Sequence, residues 1–173
     1  MNTAHTNPQA TALTAALGAR EASTRLKAAL AAGTDPDPAV VDALIDSCGT
    51  EPDFYVRDML TWALTRFPAA ATVPKLLDEL HSANAQARSQ ALHTLSKIGD
   101  PDTWHAVTQA LLRDPNDEVA RAAWRAAVVL VPDGHEPELA AELAAQLGRG
   151  EREVQVSLSR ALVALGPAAE PVL

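Results

Sequence analysis

Apolar positions recur along this chain at helical spacing, and helix-breaking residues interrupt them at short, regular intervals. From Pro8 the pattern predicts a helix to about Leu17, closed by Gly18, and a second from about Arg20 to Ala32, closed by Gly33. Thr34 to Pro38 is the most punctuated stretch. Because Val40, Val41, Leu44 and Ile45 follow at once, it reads as a turn between repeats and not as a domain linker. The helix they begin ends near Cys48 and Gly49, and Thr50 to Asp53 caps the next, which runs through Phe67 to Pro68. Further helices are expected at about 73–81, 84–98, 102–113, 116–131, 136–147 and 151–165. The polar residues 1–7 are expected to form a loose tail, and 167–173 to be the first turn of an incomplete sixth unit.

The second helices of the pairs share one template. Anchored on Arg25, Arg57, Arg88, Arg121 and Gln155, they follow one another at spacings of 32, 31, 33 and 34 residues. Four positions before each anchor stand Glu21, Asp53, Asn84, Asp117 and Glu151, all suited to a helix N-terminus. Glu21, Asp53 and Asp117 are also placed to pair with their own Arg, for about 0.3–0.5 kcal/mol each. Three after the anchor come Ala28, Leu60, Ala91, Trp124 and Leu158, and six after come Ala31, Ala63, Thr94, Ala127 and Ala161. With Ala32, Leu64, Leu95, Val128 and Leu162 at seven after, these columns form one apolar stripe per helix. Pro68, Gly99, Pro132 and Gly166 all stand eleven after their anchors, whereas the first repeat is expected to stop early at Gly33, as a capping repeat does. Such units bury their apolar faces only by stacking on one another.

These columns resemble HEAT repeats of the short bacterial kind found in phycobilisome-lyase-like arrays, over about residues 8–166. The resemblance implies an all-α, right-handed α-α superhelix, a HEAT-repeat solenoid of about five helix pairs. The repeats would fall at about 8–33, 37–68, 72–99, 102–132 and 135–166, within a single domain spanning 8–173. It also implies a concave side, lined by the second helices, that binds a protein or peptide in the manner of a non-enzymatic scaffold. Similar arrays occur in a DNA glycosylase family for alkylated purines and in bilin lyases. A nucleic-acid-handling enzyme or a lyase-like accessory protein is therefore the alternative.

Composition narrows this further. A chain that is 47% hydrophobic and only 3% aromatic suits closely packed, alanine-rich helices. The net charge of −8, with 22 acids against 14 Lys and Arg, repels a phosphate backbone and weighs against nucleic acid. Cys48 is the sole cysteine, which excludes an internal disulfide and a zinc site built on several thiolates. We expect it to fill a small buried apolar position. His5, His81, His105 and His135 show no ligand spacing, and there is no Gly-rich phosphate loop or serine elbow, so neither metal nor cofactor is expected. Without a basic cluster leading into an apolar run, and without a long apolar segment, a soluble cytoplasmic protein and no membrane span are expected.

Stepping 100° per residue places the positions one, five, eight and nine after each anchor on the open side of the second helices. These are Asp58, Trp62, Thr65 and Arg66, then Ser89, His93, Ser96 and Lys97, then Ala122, Ala126, Val129 and Leu130, and finally Val156, Arg160 and Val163. The groove should be polar at one end and apolar at the other. Asp58, Trp62, Arg66, His93 and Lys97 form its sharpest constellation, in which an indole between a carboxylate and a cation can grip a peptide. Trp62 could equally turn into the gap between repeats, and the spacing leaves both readings open. In the glycosylase-like alternative Asp58 would stabilise a sugar cation and Trp62 would stack on a base. Trp104 and Trp124 are read as inter-repeat packing. Ala126 to Val131 is hydrophobic right round its helix, which points to cover from outside the chain, a homodimer first and a partner helix next.

Overall fold

The computed structural model describes residues 7–172. It contains α1 (Pro8–Leu17), α2 (Ala22–Thr34), α3 (Val41–Thr50), α4 (Phe54–Thr65), α5 (Ala69–Glu79), α6 (Ala85–Ile98), α7 (Gln109–Leu112), α8 (Asp117–Leu130), α9 (Glu136–Ala144) and α10 (Arg152–Ala164). Short 3-10 turns occupy Pro38–Val40, Pro101–Ala106 and Gly166–Val172, and among the described residues there is no strand. The protein is an all-α superhelix of stacked helix pairs. The even-numbered helices pack directly on one another from α2 to α10, whereas contacts between odd-numbered helices thin out beyond α5. The even layer is therefore the more continuously packed one.

Local chemistry sets the starts of these helices. Asn7, Asp53, Asn84 and Asn116 each accept a backbone N–H of the first turn, satisfying donors the helix itself leaves open. Asn7 thus belongs to the fold and not to the tail, while the remainder of the expected tail, residues 1–6, lies outside the described residues. The column three after each anchor is interior throughout, with Ala28, Leu60, Ala91, Trp124 and Leu158 all buried. Six after, Ala63, Thr94, Ala127 and Ala161 are buried and only Ala31 is exposed. That column of small side chains lets the even helices approach closely.

Four of the five anchors turn out to be loop fasteners, Arg121 being the exception. Arg25 donates to the carbonyls of Ala19 and Arg20, Arg57 to those of Glu51 and Pro52, and Arg88 to those of Ser82 and Ala83, six and five residues back in each case. Gln155 reaches the carbonyl of Gly150 in the same way. Their remaining donors tie repeats together: Arg25 forms a bidentate pair with Glu51 at 2.6 and 2.7 Å, and Arg88 one with Asp114 at 3.2 and 3.3 Å. Both acids also accept a backbone N–H two residues on, which orders the turn before the next even helix. The expected one-turn pairs with Glu21, Asp53 and Asp117 are corrected accordingly. Asp53 is occupied as a cap, Arg121 pairs with Glu118, and Asp117 pairs with Arg149 across the repeat boundary.

Arg25 holds the Glu51 carboxyl below its ordinary value of 4.5, and the Asp53 N–H adds to this while burial opposes it. A depressed carboxyl stabilises fully above its unfolded value and loses that contribution as pH falls through its folded one. Glu51→Gln should therefore lower the melting temperature at neutral pH, and its gap from wild type should start to close below pH 4.5 in acid melts.

Three other expectations are corrected. Gly33 does not stop α2, which runs through it to Thr34; it lies inside the helix because the backbone of α4 comes too close for a side chain. The helix expected over 102–113 is broken, since Val107 leaves helical geometry at φ −81° and ψ 78°, and Thr108 caps a new start by accepting the Leu111 N–H. The run from Ala126 to Val131 is largely covered from within the chain: Ala126, Ala127 and Leu130 are buried, Val128 and Val131 are half-buried, and only Val129 is exposed. Its position between α6 and α10 accounts for the apolarity of all but Val129. Residues 166–172 form a 3-10 turn that packs onto α9 and α10 and buries Ala169.

Candidate functional site

The Asp53 cap fixes the start of α4 and with it the rotation of the helix, so that Asp58, Trp62 and Thr65 follow one another along its inner face. The two readings of Trp62 are both realised. The edge of its six-membered ring lies against Gly33 of α2, where an added Cβ would stand 2.4 Å from Cζ3. The rest of the ring remains open, with the side chain 39% exposed and the Arg66 guanidinium 6.0 Å from the ring centroid.

Three hollows follow one another along this face. The first, about 160 Å³, lies between α4, α6 and α8 and is bounded by Phe54, Arg57, Asp58, Gln90, His93, Glu118 and Arg125. The second, about 330 Å³, is held by Asp58, Thr61, Trp62, Thr65 and Lys97. The third, also about 330 Å³, lies between α6, α8 and α10. Asp58 borders the first two, Lys97 the second and third, and His93 and Arg125 the first and third, so the hollows form one groove. The structure thereby brings Asp58, Trp62, His93 and Lys97 onto a single surface, and Arg66 joins them through the indole.

The third and fourth repeats contribute differently from one another. Ser89, His93, Ser96 and Lys97 face the groove as expected. In α8, by contrast, Ala122, Ala126 and Leu130 are buried, and Arg125 and Val129 take the open side. The side chains at Ala122 and Ala126 are small enough for α6 and α8 to close together, which turns α8 so that positions four and eight after the anchor face out. The far end of the groove is the more apolar one, as expected, with Val128, Val129, Ala161 and Ala164 in its lining and Val156 and Val163 exposed on α10, but Lys97, Arg121, Arg125 and Arg160 border it as well. Arg125 and Glu118 were missed by spacing alone, as was Phe54, exposed at 64% beside the equally open Tyr55. The available signal for Arg125 was that a lone cation interrupts the apolar stretch after Arg121.

His93 sits where these charges meet. Burial pushes its pKa below the ordinary 6.5, Arg125 and Lys97 push the same way, and Asp58 pulls back. It is therefore neutral at pH 7. A histidine titration followed by NMR should give a midpoint below 6.5, lowered further by Asp58→Asn and raised by Arg125→Ala.

Other chemistry is quiet. Cys48 is buried and burial pushes its thiol up to about 12, so it stays protonated at neutral pH. Among the described residues no group of three or more His, Cys, Asp or Glu is arranged to hold a metal ion, and no helix is long and apolar enough to cross a membrane.

A family model of HEAT repeats matches residues 48–130 and again 73–166. No curated protein matches the chain. Among solved structures, the complex of CpcE and CpcF of phycocyanin lyase from Nostoc sp. PCC7120 is similar in fold, with a TM-score of 0.56 and 23% identity. That similarity covers 99% of this chain and 70% of the other.

Proposed function

Because the chain belongs to the HEAT-repeat family, we propose that the groove along its even-numbered helices is a docking surface for a protein or peptide, and that the molecule works as a non-enzymatic scaffold. The observation that carries this is Trp62, a large aromatic held on one edge by Gly33 and left open to the groove on the rest, with Asp58 and Lys97 beside it. An anchored indole loses little freedom on binding and offers a large contact area, which is how a few residues come to dominate an interface. The similar fold of a chain from a two-protein complex agrees with a protein partner.

Capture from an extract of the source cells on immobilised protein, wild type against Trp62→Ala, tests the reading. Recovery of a specific partner should drop by about tenfold or more on the variant. Equal recovery would remove this patch from consideration.

A further inference from the structure

We infer that the hollow between α6, α8 and α10 selects an acidic peptide segment carrying apolar side chains. This deepens the docking reading above and rests on it. Lys97, Arg121, Arg125 and Arg160 all border that hollow, and no carboxylate does. In a chain of net charge −8 this is the reverse of the average surface.

What sets this hollow apart is the clustering of its cations, since Arg20, Lys27, Arg57, Arg66 and Arg152 also form no ion pair among the described residues but stand outside it. Arg25, Lys75, Arg88, Arg113 and Arg149 each pair with a carboxylate supplied by a neighbouring repeat, and so hold the stack together. Around the hollow, Arg121 pairs with Glu118 of its own helix, but its Nε is buried without an acceptor. Lys97, Arg125 and Arg160 form no ion pair among the described residues. Mutual repulsion of these three exposed, unpaired cations is relieved by an anionic partner, and the same field steers that partner inward. Between the cations lie Val128, Val129, Ala161 and Ala164, which offer an apolar floor.

These features favour a peptide over nucleic acid. No Phe, Tyr or Trp borders this hollow to stack a base, and the protein's net charge opposes a long phosphate backbone. The groove from α4 to α10 crosses three helix spacings, about 25–30 Å, which an extended segment of about eight or nine residues spans.

The probe is a displayed library of random peptides of about twelve residues, selected on the full chain. Enriched sequences should place Asp or Glu beside Leu, Val or Phe. A selected peptide should bind at least about tenfold more weakly to the Arg125→Glu/Arg160→Glu variant, and weaken likewise between about 50 and 300 mM salt. Should charge reversal disturb folding, as circular dichroism would show, Arg125→Gln/Arg160→Gln must still weaken binding. Enrichment of neutral or basic peptides that depend on Trp62 but ignore Arg125 and Arg160 would overturn the acidic assignment and leave the docking reading standing. Failure to enrich any peptide against the groove would remove both. Tighter binding of a thymidine oligonucleotide than of any acidic peptide, or self-association abolished by the same charge reversals, would also overturn it.

Discussion

Trp124→Ala should lower the free energy of unfolding by about 3–5 kcal/mol, the range for deleting a fully buried large aromatic. Trp124 is completely buried in the column three after the anchor, where other repeats carry leucine or alanine. Its Nε1 donates to the Leu112 carbonyl at 2.9 Å, tying α8 to the end of the short α7, and the Arg149 guanidinium stands 5.9 Å from its ring centroid. Arg149 also bonds the Asp114 carbonyl and the Asp117 carboxylate, so one indole backs the fastening between the fourth and fifth repeats. Urea denaturation measures the change. Trp124→Phe separates the parts, since most of the volume stays but the Leu112 carbonyl loses its donor, for about 1–3 kcal/mol. A loss below about 1 kcal/mol for the alanine variant would mean that α7 and α8 are not held as described.

Helix existence and repeat register were legible because both follow from short-range rules. Capping residues and apolar periodicity act within a turn or two, and every column read from the sequence three after the anchor proved to be interior. What spacing could not give is the rotation of a helix whose apolar surface exceeds one stripe. In α8 nearly every non-anchor position between Val119 and Leu130 is small or apolar, so the 100° step had no polar face to lock onto, and packing against α6 decided the matter. Arg125 was lost for that reason, and with it the cationic character of the third hollow. The same limit applies to the anchors. An arginine every 31 to 33 residues marks the first four repeats, but nothing in the spacing says that Arg25 and Arg88 bond carbonyls behind them and an acid in the following repeat.

Gly33→Ala should destabilise the protein by about 2 kcal/mol, although alanine is the better helix former by about 1 kcal/mol. The added Cβ would lie 2.4 Å from Trp62 Cζ3 and 2.8 Å from the Cα of Ala63. The indole can swing away, but the second contact is backbone, so α2 and α4 must separate, and overpacking of this kind costs about 1–3 kcal/mol or more. From the sequence Gly33 looked like a helix stop, because a glycine needed for close approach and one needed for a turn are written with the same letter. The variant tests the site as well as the fold. If Gly33 seats Trp62, then Gly33→Ala should weaken partner capture about as much as Trp62→Ala does, and in the Trp62→Ala background it should cost less stability because one of its two contacts has gone. Equal costs in both backgrounds, measured by urea melts of the four proteins, would show that the indole edge is not what fills the space left by the missing side chain.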